Sequence, residues 1–290
     1  MDMQGTVVVV TGSNVGIGLE TAVGVAAAGA TTVLACRSPE KAAAAAAEVT
    51  RRTGQADVHV VTLDLADLAS VRAAADDIRA RWDRLDVLIN NAGGTWSERQ
   101  LTAQGIEYTF GVNHLGPFFL TNLLLDRLRE SAPARIITLT SVGHHSARRG
   151  MRFDDLQSEQ GYAAMEAYVR SKLANILFTR ELATRLAGTG VTANAVHPGP
   201  VRSGFGMDGD LKGLMGLGLR AVRPFEISPA AGARTSIFLA TSPEVEGITG
   251  QYWVRRKPGR MSPQARRDDQ AEHLWATSAQ LLAEAGFALV

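Results

Sequence analysis

Short apolar runs and longer, mixed segments alternate along most of the chain. Residues 6–10 form a continuous, largely β-branched run, the pattern of a strand buried on both faces. A glycine-rich turn follows, then a helical stretch reaching about residue 29. The same order returns with a strand over 31–35, an alanine-rich helix over 39–52, a strand over 58–63, a helix over 70–82 and a strand over 87–90. Another helix, a strand over 135–140, a loop, a helix over 165–187 and a strand over 191–196 complete the alternation. Strands separated by helices require parallel crossovers, so the predicted class is α/β, a doubly wound parallel sheet with helices on both faces. No internal repeat or low-complexity linker divides the chain, which predicts one domain over residues 1–290. Residues 204–225, rich in Gly, Leu and Met, break the alternation and read either as an apolar flap beside a site or as a surface insertion.

Charge narrows the partners. Thirty Lys and Arg against 29 Asp and Glu leave a formal net charge of +1, which gives nucleic acid or an acidic membrane no electrostatic purchase. The basic groups Arg255-Arg256-Lys257 and Arg266-Arg267 are short, interleaved with Pro and Gly, and read as solvated surface. A single cysteine, Cys36, excludes an intrachain disulfide and points to a cytoplasmic location, with a packing role for the thiol. The N-terminus has neither a basic start nor a long apolar stretch, and no segment approaches the ~20 apolar residues that span a bilayer. No His, Cys, Asp or Glu cluster has metal-ligand spacing, so no metal is predicted.

Directly after the first strand stands Thr11-Gly12-Ser13-Asn14-Val15-Gly16-Ile17-Gly18, leading into a helix. Glycines at 12, 16 and 18 permit positive φ, close backbone approach to a pyrophosphate, and tight helix–strand contact. The helix start then offers free N–H groups and partial positive charge to phosphates. A bare glycine triplet is weak evidence, but here the required strand and helix flank it.

The G-x-x-x-G-x-G spacing resembles that of the short-chain dehydrogenase/reductase family, and the resemblance spans nearly the whole chain. It implies a Rossmann fold and a nicotinamide cofactor. An acidic residue ending the second strand would select NAD(H). Cys36 and Arg37 stand there instead, and a guanidinium can clasp a 2′-phosphate, with Ser13 and Asn14 adding neutral donors; NADP(H) is therefore favoured over NAD(H). The competing reading of Arg37 is a solvated strand-end charge. By the same resemblance, Asp64 and Leu65 contact the adenine, and Asn91, Ala92 and Gly93 lie against the cofactor. Gly94 stands where the family often has a larger apolar residue, which predicts a looser loop.

Tyr168-Val169-Arg170-Ser171-Lys172 places a phenol and an ammonium at i and i+4 on one helix face. The ammonium, with a positive oxidised nicotinamide, is expected to lower the phenol's pKa so that Tyr168 exchanges a proton with an alcohol or alkoxide. Lys172 would also hold the nicotinamide ribose. Alone, Y-x-x-x-K is a common accident. Ser141, ending the strand over 135–140, is positioned to hold the substrate oxygen; Thr140 competes, and the family pattern points to Ser141. Asn113 matches the family's fourth catalytic position, associated with a water linked to the lysine, or else satisfies a helix bend. Pro198, Gly199, Val201 and Ser203 resemble the loop covering the nicotinamide, with Ser203 replacing a threonine. His144 and His145 are expected at the pocket mouth.

The segment around Phe153-Asp154-Asp155-Leu156, together with the tail containing His273-Leu274-Trp275, resembles the retinol dehydrogenase-like branch. That implies a lipophilic alcohol or carbonyl substrate, and residues 211–219 suggest an apolar pocket wall. Two other functions fit the same motifs: reduction of a carbon–carbon double bond, and a dinucleotide-binding sensor without turnover. The family resemblance also implies helix pairing into homo-oligomers, with the state left open.

Overall fold

The structure is a computed structural model that describes residues 2–201 and 227–289. An eight-stranded sheet runs through it in the order β3-β2-β1-β4-β5-β6-β7-β8. Its strands are β1 (Val7–Thr11), β2 (Thr31–Cys36), β3 (Val58–Thr62), β4 (Val87–Asn90), β5 (Ala134–Leu139), β6 (Val191–His197), β7 (Tyr252–Val254) and β8 (Lys257–Pro258). All neighbours are parallel except the short hairpin partner β8, which runs antiparallel to β7. Chain order reverses between β1 and β4, and that switch point is where open α/β sheets bind ligands, beyond the carboxyl ends of the strands.

The helices are α1 (Gly16–Ala27), α2 (Pro39–Thr53), α3 (Leu68–Arg81), the short α4 (Tyr108–Phe110), α5 (Gly116–Glu130), α6 (Ala164–Arg185), α7 (Pro229–Thr241) and α8 (Asp268–Glu284). Successive side chains on β1 explain the two layers. Val7 and Val9 enter the core formed with α3, α5, α6 and α8, while Val8 and Val10 enter the opposite core with Val25 of α1 and Leu239 of α7. Both faces are therefore dry, as the unbroken valine run requires.

The parallel α/β expectation holds, with strand bounds shifted by a residue or so at several ends. Four elements were not anticipated: β7, β8, α7 and α8 lie beyond the last strand read from the pattern. Tyr252–Val254 is too short to show a period, and it forms a strand because β6 offers it a register from Ala195↔Tyr252 to His197↔Val254. No helix among the described residues is long and apolar enough to cross a membrane. Residues 204–225, including the proposed apolar wall at 211–219, and Ser203 lie outside the described residues.

Candidate active site

Contacts leave no room for a side chain at Gly12 or Gly18, while Gly16 is demanded by its backbone angle alone. Gly12 and Gly16 both sit at φ +62°. A Cβ on Gly12 would lie 2.9 Å from the Cα of Ala92, and one on Gly18 would lie 2.3 Å from the Gly12 carbonyl oxygen and 2.5 Å from Asn91 Nδ2. The Asn91-Ala92-Gly93 stretch braces this turn from the neighbouring strand. Asn91 Nδ2 donates to the Thr11 and Gly12 carbonyls at 2.8 and 3.2 Å, while Thr11 Oγ1 accepts the N–H groups of Asn91 and Ala92, each at 3.0 Å. Val15, at the start of α1, provides no side-chain cap, so the first-turn N–H groups beside Ile17 remain available to an anion. Thr11 is a site residue that the motif alone did not mark.

Two expected donors separate here. Ser13 is fully buried, and its hydroxyl donates to the Val10 carbonyl at 2.8 Å and contacts Cys36 Sγ at 3.5 Å. It therefore builds the turn rather than facing a 2′-phosphate. Asn14 stays half-buried at the turn, and Arg37 is exposed just past β2, where its Nη1 donates to Tyr108 Oη at 3.3 Å. Cys36 is buried, which pushes its thiol pKa up, in keeping with packing. At the end of β3, Asp64 Oδ1 accepts the Ala66 N–H at 2.9 Å, and Leu65 is buried against Gly116.

The 22-residue helix α6 carries Tyr168 and Lys172 on one face toward the end of β5. Two buried bonds hold that end against the helix: Thr140 Oγ1 donates to the Lys172 carbonyl at 2.6 Å, and Asn175 Nδ2 donates to the Leu139 carbonyl at 2.9 Å. Thr140 is thereby spent on structure. Ser141 is the hydroxyl bonded to Tyr168, and its Oγ also accepts the Gly143 N–H at 3.1 Å.

The electrostatics differ from the expectation at one point. Burial raises the Tyr168 phenol above its ordinary value, and the Ser141 hydroxyl is the group pulling it down. Lys172 lies with Nζ 5.7 Å from the phenol ring centroid and 3.5 Å from the Leu139 carbonyl, and burial lowers its own pKa to about 8. The desolvation of both groups outweighs the attraction assumed from their spacing.

Asn113 sits in a π-helical turn, Gly111–Leu115, between α4 and α5. Its side chain is fully committed: Oδ1 accepts the Gly94 N–H at 2.8 Å, and Nδ2 donates to the Gly94 carbonyl at 2.8 Å and to Ser171 Oγ at 2.9 Å. The side chain thus ties the Gly94 backbone to α6, and the π-turn is what carries it to the site. A Cβ built on Gly93 would lie 2.9 Å from Asn113 Oδ1 and 3.1 Å from Lys172 Nζ, so these three positions converge. The Gly94 loop is held, not loose: Asn113 clamps both its backbone groups, and the Trp96 indole fills the space beside it, 2.9 Å from where a Cβ would stand.

Beyond β6, Pro198 and Gly199 lead to Val201, which bridges to Ile227 and packs where Gly232 lacks a side chain, near Ile17. This brings the loop over 198–201 beside the glycine turn. His145 is exposed, but His144 is completely buried and does not line the pocket mouth. A cavity of about 330 Å³ opens next to Val169, yet its lining is rich in Arg148, Arg149 and Glu166 and includes neither Ser141 nor Tyr168. Among the described residues, no group of three or more His, Cys, Asp or Glu stands together as a metal site.

Comparison with known proteins agrees with this geometry. The family model described as short chain dehydrogenase matches residues 6–153 and 155–211. Human retinol dehydrogenase 12 is 46% identical over 97% of this chain and 88% of its own length. A crystal structure of an uncharacterized protein from Mycobacterium paratuberculosis is 34% identical, covers 100% of this chain and 96% of that one, and superposes with a TM-score of 0.79. The Pseudomonas aeruginosa RhlG/NADP active-site complex is 28% identical, covers 87% of this chain and 94% of that one, and has a TM-score of 0.70. The chain therefore belongs to the short-chain dehydrogenase/reductase family, oxidoreductases that act on CH–OH groups.

Proposed function

We propose that this enzyme is an NADP(H)-dependent oxidoreductase that interconverts a lipophilic alcohol and its aldehyde or ketone, with Tyr168 as general acid and base. The observation that carries the reading is the convergence on Tyr168 of the Ser141 hydroxyl and the buried Lys172 ammonium, beside a glycine cradle packed too closely for side chains at Gly12 and Gly18.

The residues present fit a nicotinamide dinucleotide. Gly12, Gly16 and Gly18 with the α1 start would take the pyrophosphate, Asp64 and Leu65 the adenine, Lys172 the nicotinamide ribose, and the loop over 198–201 the nicotinamide side. When bound, the cofactor donates or accepts the hydride at the substrate carbon. Arg37 and Asn14 would face the 2′-phosphate, and the NADP-bound relative supports that choice.

Burial keeps Tyr168 a neutral phenol near neutral pH, which is the form that gives a proton to a developing alkoxide during reduction. Ser141, already oriented by the Gly143 N–H, holds the substrate oxygen as negative charge grows there. Lys172 restores the proton balance around Tyr168 from a dry position. In the oxidation direction the same groups act in reverse. Similarity to retinol dehydrogenase 12 supports an apolar substrate. We read the chain as one catalytic domain working in the cytoplasm on a small molecule.

The test is a titration with NADPH and NADH, followed by loss of reduced-nicotinamide absorbance with a panel of apolar aldehydes and ketones, and by oxidation of the matching alcohols with NADP+. Preferential NADPH binding and turnover in both assays are expected. Alkene reduction without alcohol oxidation would replace this reading with double-bond reduction, and binding without any turnover would indicate a sensor.

A further inference from the structure

One buried histidine connects the Ser141 turn to the C-terminal part of the chain. His144 has no exposed surface, and both of its ring nitrogens are engaged. Nδ1 lies 2.7 Å from the Ser141 carbonyl oxygen, and Nε2 lies 3.1 Å from the backbone nitrogen of Ser262. A backbone N–H only donates, so Nε2 must be the unprotonated nitrogen, and Nδ1 carries the proton it gives to Ser141. The tautomer is thus dictated by the partners. Burial lowers the pKa of the ring to about 4, which keeps it neutral and able to accept from Ser262.

The ring is also fixed from its sides. Tyr252 of β7 meets it edge-on at 4.9 Å between centroids, and His145 lies at 4.1 Å. At the far end, Ser262 belongs to a turn whose Oγ accepts the Ala265 N–H at 3.2 Å, just before α8. At the near end, the Ser141 carbonyl accepts the His144 backbone N–H at 3.2 Å as well as Nδ1–H. The Ser141 side chain is left with the Gly143 N–H and Tyr168.

We propose that His144 is a positioning residue, a two-ended clamp through which the Ser262 turn sets the orientation of Ser141 toward Tyr168. The proposal rests on the reading that Ser141 and Tyr168 form the reacting hydroxyl pair. Its chemical content is that loss of the Nδ1–H bond lets the Ser141 peptide rotate, and the Ser141–Tyr168 bond is lost with it. A misplacement of about 1 Å at a reacting group costs on the order of 10²-fold in rate.

Three variants separate the two ends. H144N keeps a donor near the Nδ1 position, H144Q puts an acceptor toward Ser262 but removes the donor to Ser141, and S262P deletes the N–H while leaving His144 in place, with S262A as the control for the Oγ that S262P also removes. Tyr168 is followed directly by ¹³C-tyrosine NMR, since the chain has four tyrosines and Y168F identifies the resonance. In H144Q, kcat is expected to fall about 10²-fold with KM and NADPH binding little changed, and the Tyr168 resonance to titrate at higher pH. H144N should restore most of both, and S262P should move the resonance in the same direction as H144Q. Unchanged Tyr168 titration in H144Q and S262P, or identical behaviour of H144N and H144Q, overturns the clamp. If the wild-type chain turns over no carbonyl, the functional reading fails, while the NMR titration still decides whether His144 governs Ser141 and Tyr168.

Discussion

At the residue scale, Tyr168 and Arg37 make separable contributions. Tyr168→Phe keeps the ring that Lys172 approaches and removes only the hydroxyl that Ser141 touches. Proton transfer by a positioned group contributes roughly 10²–10⁴-fold, so kcat should fall by at least about 10² while the NADPH dissociation constant stays within about threefold. Steady-state rates and a fluorescence titration of the same preparation check this, and ordinary turnover in the variant would remove Tyr168 from the mechanism. Arg37 is exposed and, among the described residues, bonded through its side chain to Tyr108 Oη, a contact it can exchange for a phosphate. A hydrogen bond to a charged group is worth about 1.5–3 kcal/mol. Arg37→Ala should therefore weaken NADPH by about 10- to 10²-fold and NADH hardly at all; equal weakening of both would make Arg37 a plain surface charge.

At the scale of elements, the site depends on how β1, β4 and α1 meet. Gly18 belongs to α1, where alanine ordinarily favours the helix by about 1 kcal/mol. Here the Cβ would stand 2.3 Å from a backbone oxygen of the preceding turn and 2.5 Å from Asn91 Nδ2, a side-chain end tethered by its bonds to the Thr11 and Gly12 carbonyls. Overlap outweighs propensity, so Gly18→Ala should push the turn away from Asn91 and impair dinucleotide binding at least tenfold, roughly the effect of ~1.4 kcal/mol. Isothermal titration with NADPH reads it directly. Native affinity in that variant would show that the turn has slack the contacts do not suggest. The π-turn at Gly111–Leu115 is a second such junction, because one extra residue in the helix aims Asn113 at the Gly94 backbone.

At the scale of the whole molecule, three buried histidines link stability to pH. Burial lowers His114 to about 3, and His144 and His197 each to about 4. In the unfolded chain these rings take up protons near pH ~6.5. Between that value and about 4 the unfolded state binds protons that the fold refuses, so the stability they contribute is complete above 6.5 and is lost as the pH falls. The lowered carboxylates Glu20 and Asp57 act mainly below their ordinary values of 4.5 and 3.8, so a loss already visible at pH ~5 belongs chiefly to the histidines. The urea midpoint should be lower at pH 5 than at pH 7, and a midpoint that does not move would contradict the burial of these rings as neutral groups. His114 also reaches across the chain, with Nε2 3.0 Å from Ser278 Oγ, which pins α8 beside the π-turn.

Much of this protein was legible along the chain because its signals are local. A valine run, a glycine triplet between strand and helix, and a phenol four residues before an ammonium each have a consequence within one or two elements, so sheet class, cradle and the Tyr168–Lys172 face could be read directly. The elements after β6 could not be read so, since Tyr252–Val254 becomes a strand only through its register with β6. Three assignments were decided by contacts that residue spacing does not show. Ser13 turns inward to the Val10 carbonyl, Thr140 is consumed by the Lys172 carbonyl while Ser141 reaches Tyr168, and His144 is buried between Ser141 and Ser262. The sign of the Tyr168 shift belongs with them. Spacing predicts an attraction between two side chains, but only the packed structure determines how much water each one loses, and that desolvation is the larger effect.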